Sequence, residues 1–223
     1  MSTPLLLSIE TSGATCGVVL ASGAKLLAEY SLFGDNLHDK LLAELCRRII
    51  TDCGKKFDQL DGIAVSAGPG SFTGLRIGAS VAKGICFGSD IKCIAVPTLS
   101  AFASAATEFA QSLGAKEIMS VIPANQNLFF SQTFHADGAP TSTILLTEEH
   151  EVQSAITDDT ILCGPAAPSF HSRHQLSGLN RLTPRFIARH AYELWNQSAW
   201  IPAEDFVPMY AQEFVVKKST KQT

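Results

Sequence analysis

The sequence predicts an α/β protein made of two units, each a mixed sheet flanked by helices. Three observations support this fold class. The chain begins with three β-rich runs separated by short serine-glycine turns, and helix-spaced and strand-like apolar segments alternate after them. A glycine-rich turn, Gly68 to Gly74, joins a strand-like apolar run to an amphipathic segment. The 223 residues, 46% hydrophobic and 17% charged, are enough for a substantial buried core.

The first half of the chain is predicted to follow the order βββαβαβα. The first three strands should form an antiparallel meander, because only short turns separate them. The elements, in chain order, are strands at 5–10, 15–21 and 25–32, a helix at 38–53, a strand at 63–65, the helix after the glycine-rich turn, a strand at 92–96 and a helix at 100–113. This order is typical of one half of the actin-like (ASKHA, ribonuclease H-like) fold.

The second half carries weaker signals of the same kind. Apolar runs at 118–122, 128–134, 143–146 and 160–163 precede a helix-like segment at 185–195. We therefore expect an N-terminal actin-like lobe at 1–110 and a C-terminal lobe at 111–223. The C-terminal segment could pack back on the first lobe.

The helix after the glycine-rich turn has small residues at every fourth position. Ser71 or Thr73 can cap this helix. Each glycine inside it costs about 0.5–1 kcal/mol relative to alanine, so a close contact should offset that cost. The ridge could be a docking surface for a partner helix, or it could pack against another part of the same chain. Its residues are Gly70, Gly74, Gly78 and Ala82.

Composition excludes several classes of protein. The net charge of -4 gives no overall basic field for nucleic acid. No apolar run is long enough to span a bilayer, and 1–8 lacks the pattern of a signal peptide, so we expect a cytoplasmic protein without a membrane partner. The cysteines show no CxxC pair and lie mostly in apolar runs, which predicts buried free thiols. They are Cys16, Cys46, Cys53, Cys86, Cys93 and Cys163.

A trace of a phosphate-binding loop follows the first strand. An actin-like kinase places an acidic residue and glycines there, and this chain has Glu10-Thr11-Ser12-Gly13. The matching point of the second half reads Ile122-Pro123-Ala124-Asn125 and has no acidic-glycine loop. The Gly68 loop fits neither the dinucleotide nor the Walker pattern, although helix amides and Arg76 leave it open as an anion site. An actin-like ATPase or phosphotransferase is therefore the second hypothesis.

The run from Ser66 to Gly78 resembles the bacterial TsaB (YeaZ) family. Ile9-Glu10-Thr11-Ser12 upstream and Val96-Pro97-Thr98-Leu99 downstream support the resemblance, which covers about the first hundred residues. The resemblance implies a two-lobed actin-like subunit that supports the enzyme TsaD, together with TsaE. That complex transfers a threonylcarbamoyl group to adenosine-37 of tRNAs. The implied role is that of a required partner, and tRNA is contacted only through the complex.

Two departures bear on catalysis. TsaD-like enzymes carry a metal-binding His-x-x-x-His after the fifth strand, and the aligned positions here are Thr98 and Phe102. The family usually opens its second lobe with Asp-Ala-Arg, whereas this chain has Pro123-Ala124-Asn125. The resemblance therefore implies neither catalytic nor metal-binding residues, and a glycopeptidase-like hydrolase is the weakest alternative.

The resemblance also implies a set of site residues. No cofactor is expected, while ATP or ADP at the partner interface and a homodimer of the isolated chain stay open. The expected partner interface comprises His38, Leu41, Leu45, Gly74, Arg76, Gly78, Val81 and Ala82. The expected vestigial nucleotide or anion loop comprises Glu10, Thr11, Ser12, Gly68, Gly70 and Ser71.

Overall fold

The first of two five-stranded sheets is built from the N-terminal half of the chain. A computed structural model describes residues 3–34 and 37–209. The strands are β1 (Leu5–Glu10), β2 (Thr15–Ser22), β3 (Lys25–Phe33), β4 (Gly62–Gly68) and β5 (Lys92–Pro97), and their order in the sheet is β3-β2-β1-β4-β5. β1, β2 and β3 pair antiparallel, while β4 is parallel to both β1 and β5.

The second sheet repeats the plan of the first. Its strands are β6 (Glu117–Asn125), β7 (Leu128–His135), β8 (Leu145–Glu148), β9 (Thr160–Cys163) and β10 (His174–Gln175), in the order β10-β9-β6-β7-β8. β6, β7 and β8 pair antiparallel, and β9 is parallel to both β6 and β10. Strand order and direction therefore match between the sheets, as expected of a duplicated α/β unit, and the predicted fold class is confirmed.

Five α-helices in the described part of the chain complete the layers. They are α1 (His38–Asp52), α2 (Phe72–Cys86), α3 (Thr98–Leu113), α4 (Glu149–Ala155) and α5 (Pro184–Asn196). Helices α1 and α2 cover one face of the first sheet, and α4 packs beside β7 and β8 of the second. Helices α3 and α5 lie between the two sheets and contribute to one core shared by both lobes. No helix within the described ranges is long and apolar enough to cross a membrane.

The position of α3 follows from its composition. Its side chains at Ala101, Ala103, Ala106 and Ala110 are fully buried, as is Phe102. A helix that is apolar on nearly every side is stable only when it is covered on nearly every side. The alanines let neighbouring elements approach closely, so α3 fits between α5 and the second sheet.

Helices α3 and α5 each pack mainly on the sheet of the opposite lobe. Helix α3 follows the first sheet in the chain but packs on β6, where the Ser120 hydroxyl donates to the Leu99 carbonyl at 2.9 Å. Helix α5 follows the second sheet but packs across β1 and β2. Arg185 at its start pairs with Glu29 of β3 at 2.5 Å. Helix α5, from the second half of the chain, therefore covers the first lobe. The division of the chain into two lobes at residue 110 stays a prediction.

Most predicted elements agree with the structure to within two residues, and the differences have local causes. Helix α4 and strand β10 were not predicted. Helix α4 is short and polar with one buried residue, Val152, and it is stabilised where Glu148 N–H donates to the Glu151 carboxylate at 3.2 Å. All six cysteines are free, and all but the half-buried Cys53 are buried.

Candidate functional site

The glycine-rich turn packs directly on the turn between β1 and β2. Ser71 N–H donates to the Ser12 carbonyl at 2.7 Å, and Thr11 N–H donates to the Ser66 hydroxyl at 3.3 Å. A Cβ atom on Gly70 would overlap the Ser12 carbonyl oxygen. Glycine is therefore required here by the close approach of two backbones, whether or not a phosphate binds.

The small-residue ridge of α2 faces the interior of its own lobe. A Cβ atom on Gly74 would overlap the Thr11 carbonyl, and Gly78 and Ala82 are also buried. This finding corrects the expectation that Gly74, Gly78 and Ala82 form a docking surface, because Thr11, directly after β1, already occupies the space in front of the two glycines. Of the two interpretations of the ridge, contact within the chain is the one that the structure supports.

The outward side of the first two helices carries a different apolar surface, which we call the α1–α2 face. It consists of half-buried side chains at Leu41, Leu45, Ile77, Val81 and Ile85. The exposed Arg76 guanidinium stacks on the Phe72 ring at 4.0 Å from its centroid, beside this face. His38 lies at the start of α1, with Nε2 3.1 Å from the Thr15 carbonyl oxygen. As partner contacts, His38, Leu41, Leu45, Arg76 and Val81 remain predictions.

Glu10 ends β1 as a fully buried carboxyl group. Ser12 donates to Glu10 Oε1 twice, through its N–H and through its hydroxyl, each at 2.7 Å. Oε2 has no hydrogen-bond partner among the described residues. Burial raises the pKa of Glu10 from 4.5 to about 7, and the hydrogen bonds from Ser12 only partly oppose it. Glu10 is therefore held by its own turn rather than presented to solvent.

A cavity of about 510 Å³ lies between the lobes, and we call it the interlobe cavity. Parts of the turn after β1 and of the glycine-rich turn line it, as do Thr98 and Phe102, whereas Glu10, Thr11 and Gly68 do not. Phe102 is 1% exposed and meets the Phe186 ring edge-to-face at 6.2 Å. The lining residues are Ser12, Gly13, Ala14, Thr15, Pro69, Gly70, Ser71, Thr98, Phe102, Ile122, Pro123, Pro165, Asn180, Arg181 and Leu182.

The interlobe cavity does not offer the ligands of a metal enzyme. None of its lining residues is Asp, Glu, His or Cys. Across residues 3–34 and 37–209, no group of three or more such side chains could hold a metal ion. Pro123 lines the cavity, whereas Ala124 is half-buried and Asn125 is exposed outside it.

The three lining residues that precede α5 were missed by sequence reasoning. Asn180, Arg181 and Leu182 precede α5 and reach the interlobe cavity because α5 crosses to the first lobe. Thr15 of β2 anchors this segment, since its hydroxyl donates to the Leu182 carbonyl at 2.8 Å. No local motif marks these residues, so only the tertiary fold could have identified them.

A second cavity, of about 630 Å³, lies on the surface of the first lobe between the starts of α1 and α2. His38, Asp39, Ser71, Thr73 and Ile77 line it. Because Ile77 belongs to the α1–α2 face, this cavity adjoins that surface.

The family model and the curated relatives that match this chain all carry names from tRNA threonylcarbamoyladenosine modification. A family model described as "TsaD: tRNA N6-adenosine threonylcarbamoyltransferase" matches residues 34–130. The chain is 36% identical to a Haemophilus influenzae "tRNA threonylcarbamoyladenosine biosynthesis protein TsaB", over 57% of this chain and 52% of that protein. It is 26% identical to the Escherichia coli protein of the same name, over 96% of this chain and 89% of that protein.

Solved structures show the same fold. "YeaZ from Pseudomonas aeruginosa" superposes with a TM-score of 0.76 at 21% identity, covering 92% of this chain and all of that one. The ethanolamine utilization protein EutJ from Carboxydothermus hydrogenoformans gives a TM-score of 0.51 at 10% identity, over 85% of this chain and 90% of that one. Together with the curated relatives, these similarities support the resemblance of the chain to the TsaB (YeaZ) family.

Proposed function

We propose that this chain is a non-catalytic subunit in tRNA threonylcarbamoyladenosine biosynthesis, acting as the partner of TsaD with TsaE. The names of its relatives support a role in this pathway. The observation that carries the partner role is the α1–α2 face, an apolar surface on two adjacent helices whose half-buried side chains lie at the edge of the first-lobe core.

The geometry of the α1–α2 face suits helix-on-helix docking. Ile77, Val81 and Ile85 recur every fourth residue of α2, and Leu41 and Leu45 do the same on α1. Such rows form ridges that another helix can pack between. These side chains are already half-buried, so a partner would remove the rest of their apolar surface from water at a small additional entropy cost.

The buried groups support a non-catalytic role. Thr98 and Phe102 occupy the positions where TsaD-like enzymes carry metal-binding histidines, and Phe102 has no polar atom to replace one. An ATPase would need a solvent-facing acidic residue to hold a hydrated cation, whereas Glu10 is buried and bonded by Ser12. ATP or ADP at the partner interface stays a prediction, and the cavity beside the α1–α2 face is where we place it.

A reconstitution tests this function. TsaD and TsaE from the same organism are incubated with unmodified tRNA and a threonylcarbamoyl donor, with and without this chain, and modified adenosine is quantified by mass spectrometry. We expect modification only when all three proteins are present. The chain alone should neither modify tRNA nor turn over ATP with magnesium. Full modification without it, or modification by this chain alone, would contradict the proposal.

A further inference from the structure

The interlobe cavity has the electrostatic character of an anion site. Among the described residues, Arg181 is the only charged one that lines it. Its guanidinium stacks on the Phe33 ring at 4.6 Å from the centroid, which holds it at the cavity rim, and no ion pair joins it to a carboxylate among the described residues. From residues 3–34 and 37–209, the cavity therefore receives one positive charge and no side chain of the opposite sign.

Two helices begin at this cavity. Ser71, the N-cap of α2, and Thr98, the first residue of α3, both line it. Neither helix has an acidic residue in its first turn. The partial positive charges of both helix starts are thus left without a compensating carboxylate of their own.

Buried polar atoms in the cavity wall lack partners. Thr98 is 2% exposed, and its hydroxyl oxygen has no hydrogen-bond partner within the described ranges. The side-chain oxygen of Asn180, another lining residue, also has none. A buried hydroxyl without a hydrogen-bond partner is unfavourable, so a ligand that bonds it would be stabilised. A bound oxyanion would accept a hydrogen bond from Thr98, and the Asn180 amide can turn its NH₂ group toward the same ligand.

The rest of the wall is apolar. Ala14, Phe102, Ile122 and Leu182 line the cavity together with three prolines. A ligand that matches both the positively charged part and the apolar part of the cavity wall would combine an anionic head with a compact apolar body. Because no carboxylate lines the cavity to hold a divalent cation, the anion would have to bind without a metal ion.

We propose that the interlobe cavity binds a small organic oxyanion, a carboxylate or a phosphate monoester, without a metal ion. Arg181 and the N-terminal ends of α2 and α3 attract the negative charge of the ligand. The Thr98 hydroxyl donates a hydrogen bond to the oxyanion, and the apolar wall contacts the carbon body of the ligand. This site is separate from the α1–α2 face and does not depend on the proposed partner role.

Calorimetric titration with simple probes tests the site. Benzoate and phenyl phosphate carry the two head groups on one apolar body, and benzamide is the uncharged control. We expect at least one of the two anions to bind at least tenfold more tightly than benzamide, because a charge-assisted hydrogen bond is roughly twice as strong as a neutral one. Equal binding of all three, or no binding of either anion, would overturn the proposal.

Variants assign the binding to the named residues. Arg181→Gln and Thr98→Val should each weaken binding of the tighter anion about tenfold, whereas Arg173→Gln, an exposed arginine outside the cavity, should leave it unchanged. Arg181 is exposed, so its variant should fold even if Thr98→Val does not. Unchanged binding by Arg181→Gln would refute the site.

Titration with ATP separates the site from a nucleotide cleft. We expect magnesium to leave the binding of benzoate and phenyl phosphate unchanged. ATP binding that requires magnesium and is competitive with the anion probes would overturn the metal-free assignment.

Discussion

Gly78 of α2 packs directly on Thr11 at the end of β1. A Cβ atom on Gly78 would overlap the Thr11 hydroxyl and would lie 3.4 Å from Val65 Cγ2. Thr11 and Val65 are both fully buried, so neither can move aside into solvent. The glycine is thus part of the junction between α2 and the first sheet.

Gly78→Leu should destabilise the isolated protein. Overpacking a fitted core contact typically costs about 1–3 kcal/mol. In a chain of this size about 1 kcal/mol shifts the melting temperature by roughly 2–4 °C, so we expect a fall of several degrees in a thermal melt.

Gly84→Leu is the matched control for that variant. Gly84 lies in the same helix and is exposed, and nothing stands within 4 Å of where its Cβ atom would be. The substitution replaces a poor helix former with a good one, so the melting temperature should hold or rise slightly. A melting temperature of Gly78→Leu equal to that of Gly84→Leu would contradict the internal packing of the ridge.

Val81→Glu should weaken binding to TsaD without unfolding the chain. Val81 is half-buried on the α1–α2 face, where a carboxylate can still reach water in the free protein but would be buried without a partner in the complex. We expect at least a tenfold loss of affinity in a titration against TsaD, which corresponds to about 1.4 kcal/mol.

Leu113→Glu provides the comparison for Val81→Glu. Leu113 is 46% exposed at the end of α3, away from the proposed docking face. Its substitution should leave TsaD binding unchanged. Equal losses of affinity in both variants would count against the α1–α2 face as the specific docking surface.

Glu10→Gln should change how stability depends on pH. The folded-state pKa of Glu10 is raised to about 7, so the folded protein holds this proton more tightly than the unfolded chain does. The contribution of Glu10 to stability is therefore fully present below about pH 4.5 and is lost as pH rises through 7. Glutamine keeps the acceptor oxygen that Ser12 uses but cannot ionise.

Urea unfolding at pH 5 and pH 8 measures this effect. Relative to the wild type, Glu10→Gln should gain about 2–3 kcal/mol of stability between the two pH values, because the pKa of Glu10 is raised from 4.5 to about 7. Glu149→Gln, at an exposed carboxylate of α4, should show no comparable gain. A stability difference between Glu10→Gln and the wild type that does not vary with pH would show that Glu10 ionises normally in the folded chain.

The parts of the structure that could be predicted are those that follow from short-range sequence patterns. The meander, the helices α1 and α2 and the cap at Ser71 follow from short-range patterns, and the structure has them, with Gly74 N–H donating to the Ser71 hydroxyl at 3.2 Å. The side of the protein toward which Gly74 and Gly78 face could not be predicted from the local sequence. Both α2 surfaces carry small or apolar residues, and the placement of the β1–β2 turn decides which one is buried.

The interlobe cavity shows the same limit more strongly. Thr98 could be flagged as a replaced ligand position, but Arg181 reaches the cavity only because α5 crosses to the first lobe. Pairings between residues so distant in the chain leave no periodic trace in one sequence.

The crossing of α3 and α5 has a consequence for how the protein folds during translation. A ribosome releases the first sheet long before it releases α5, so one apolar surface of that sheet, around Val19 and Ala21, has no cover until Ala188 has been synthesised. We therefore expect the packing of the N-terminal half to be completed only after α5 has been synthesised. Until then that apolar surface stays accessible to chaperones and to aggregation.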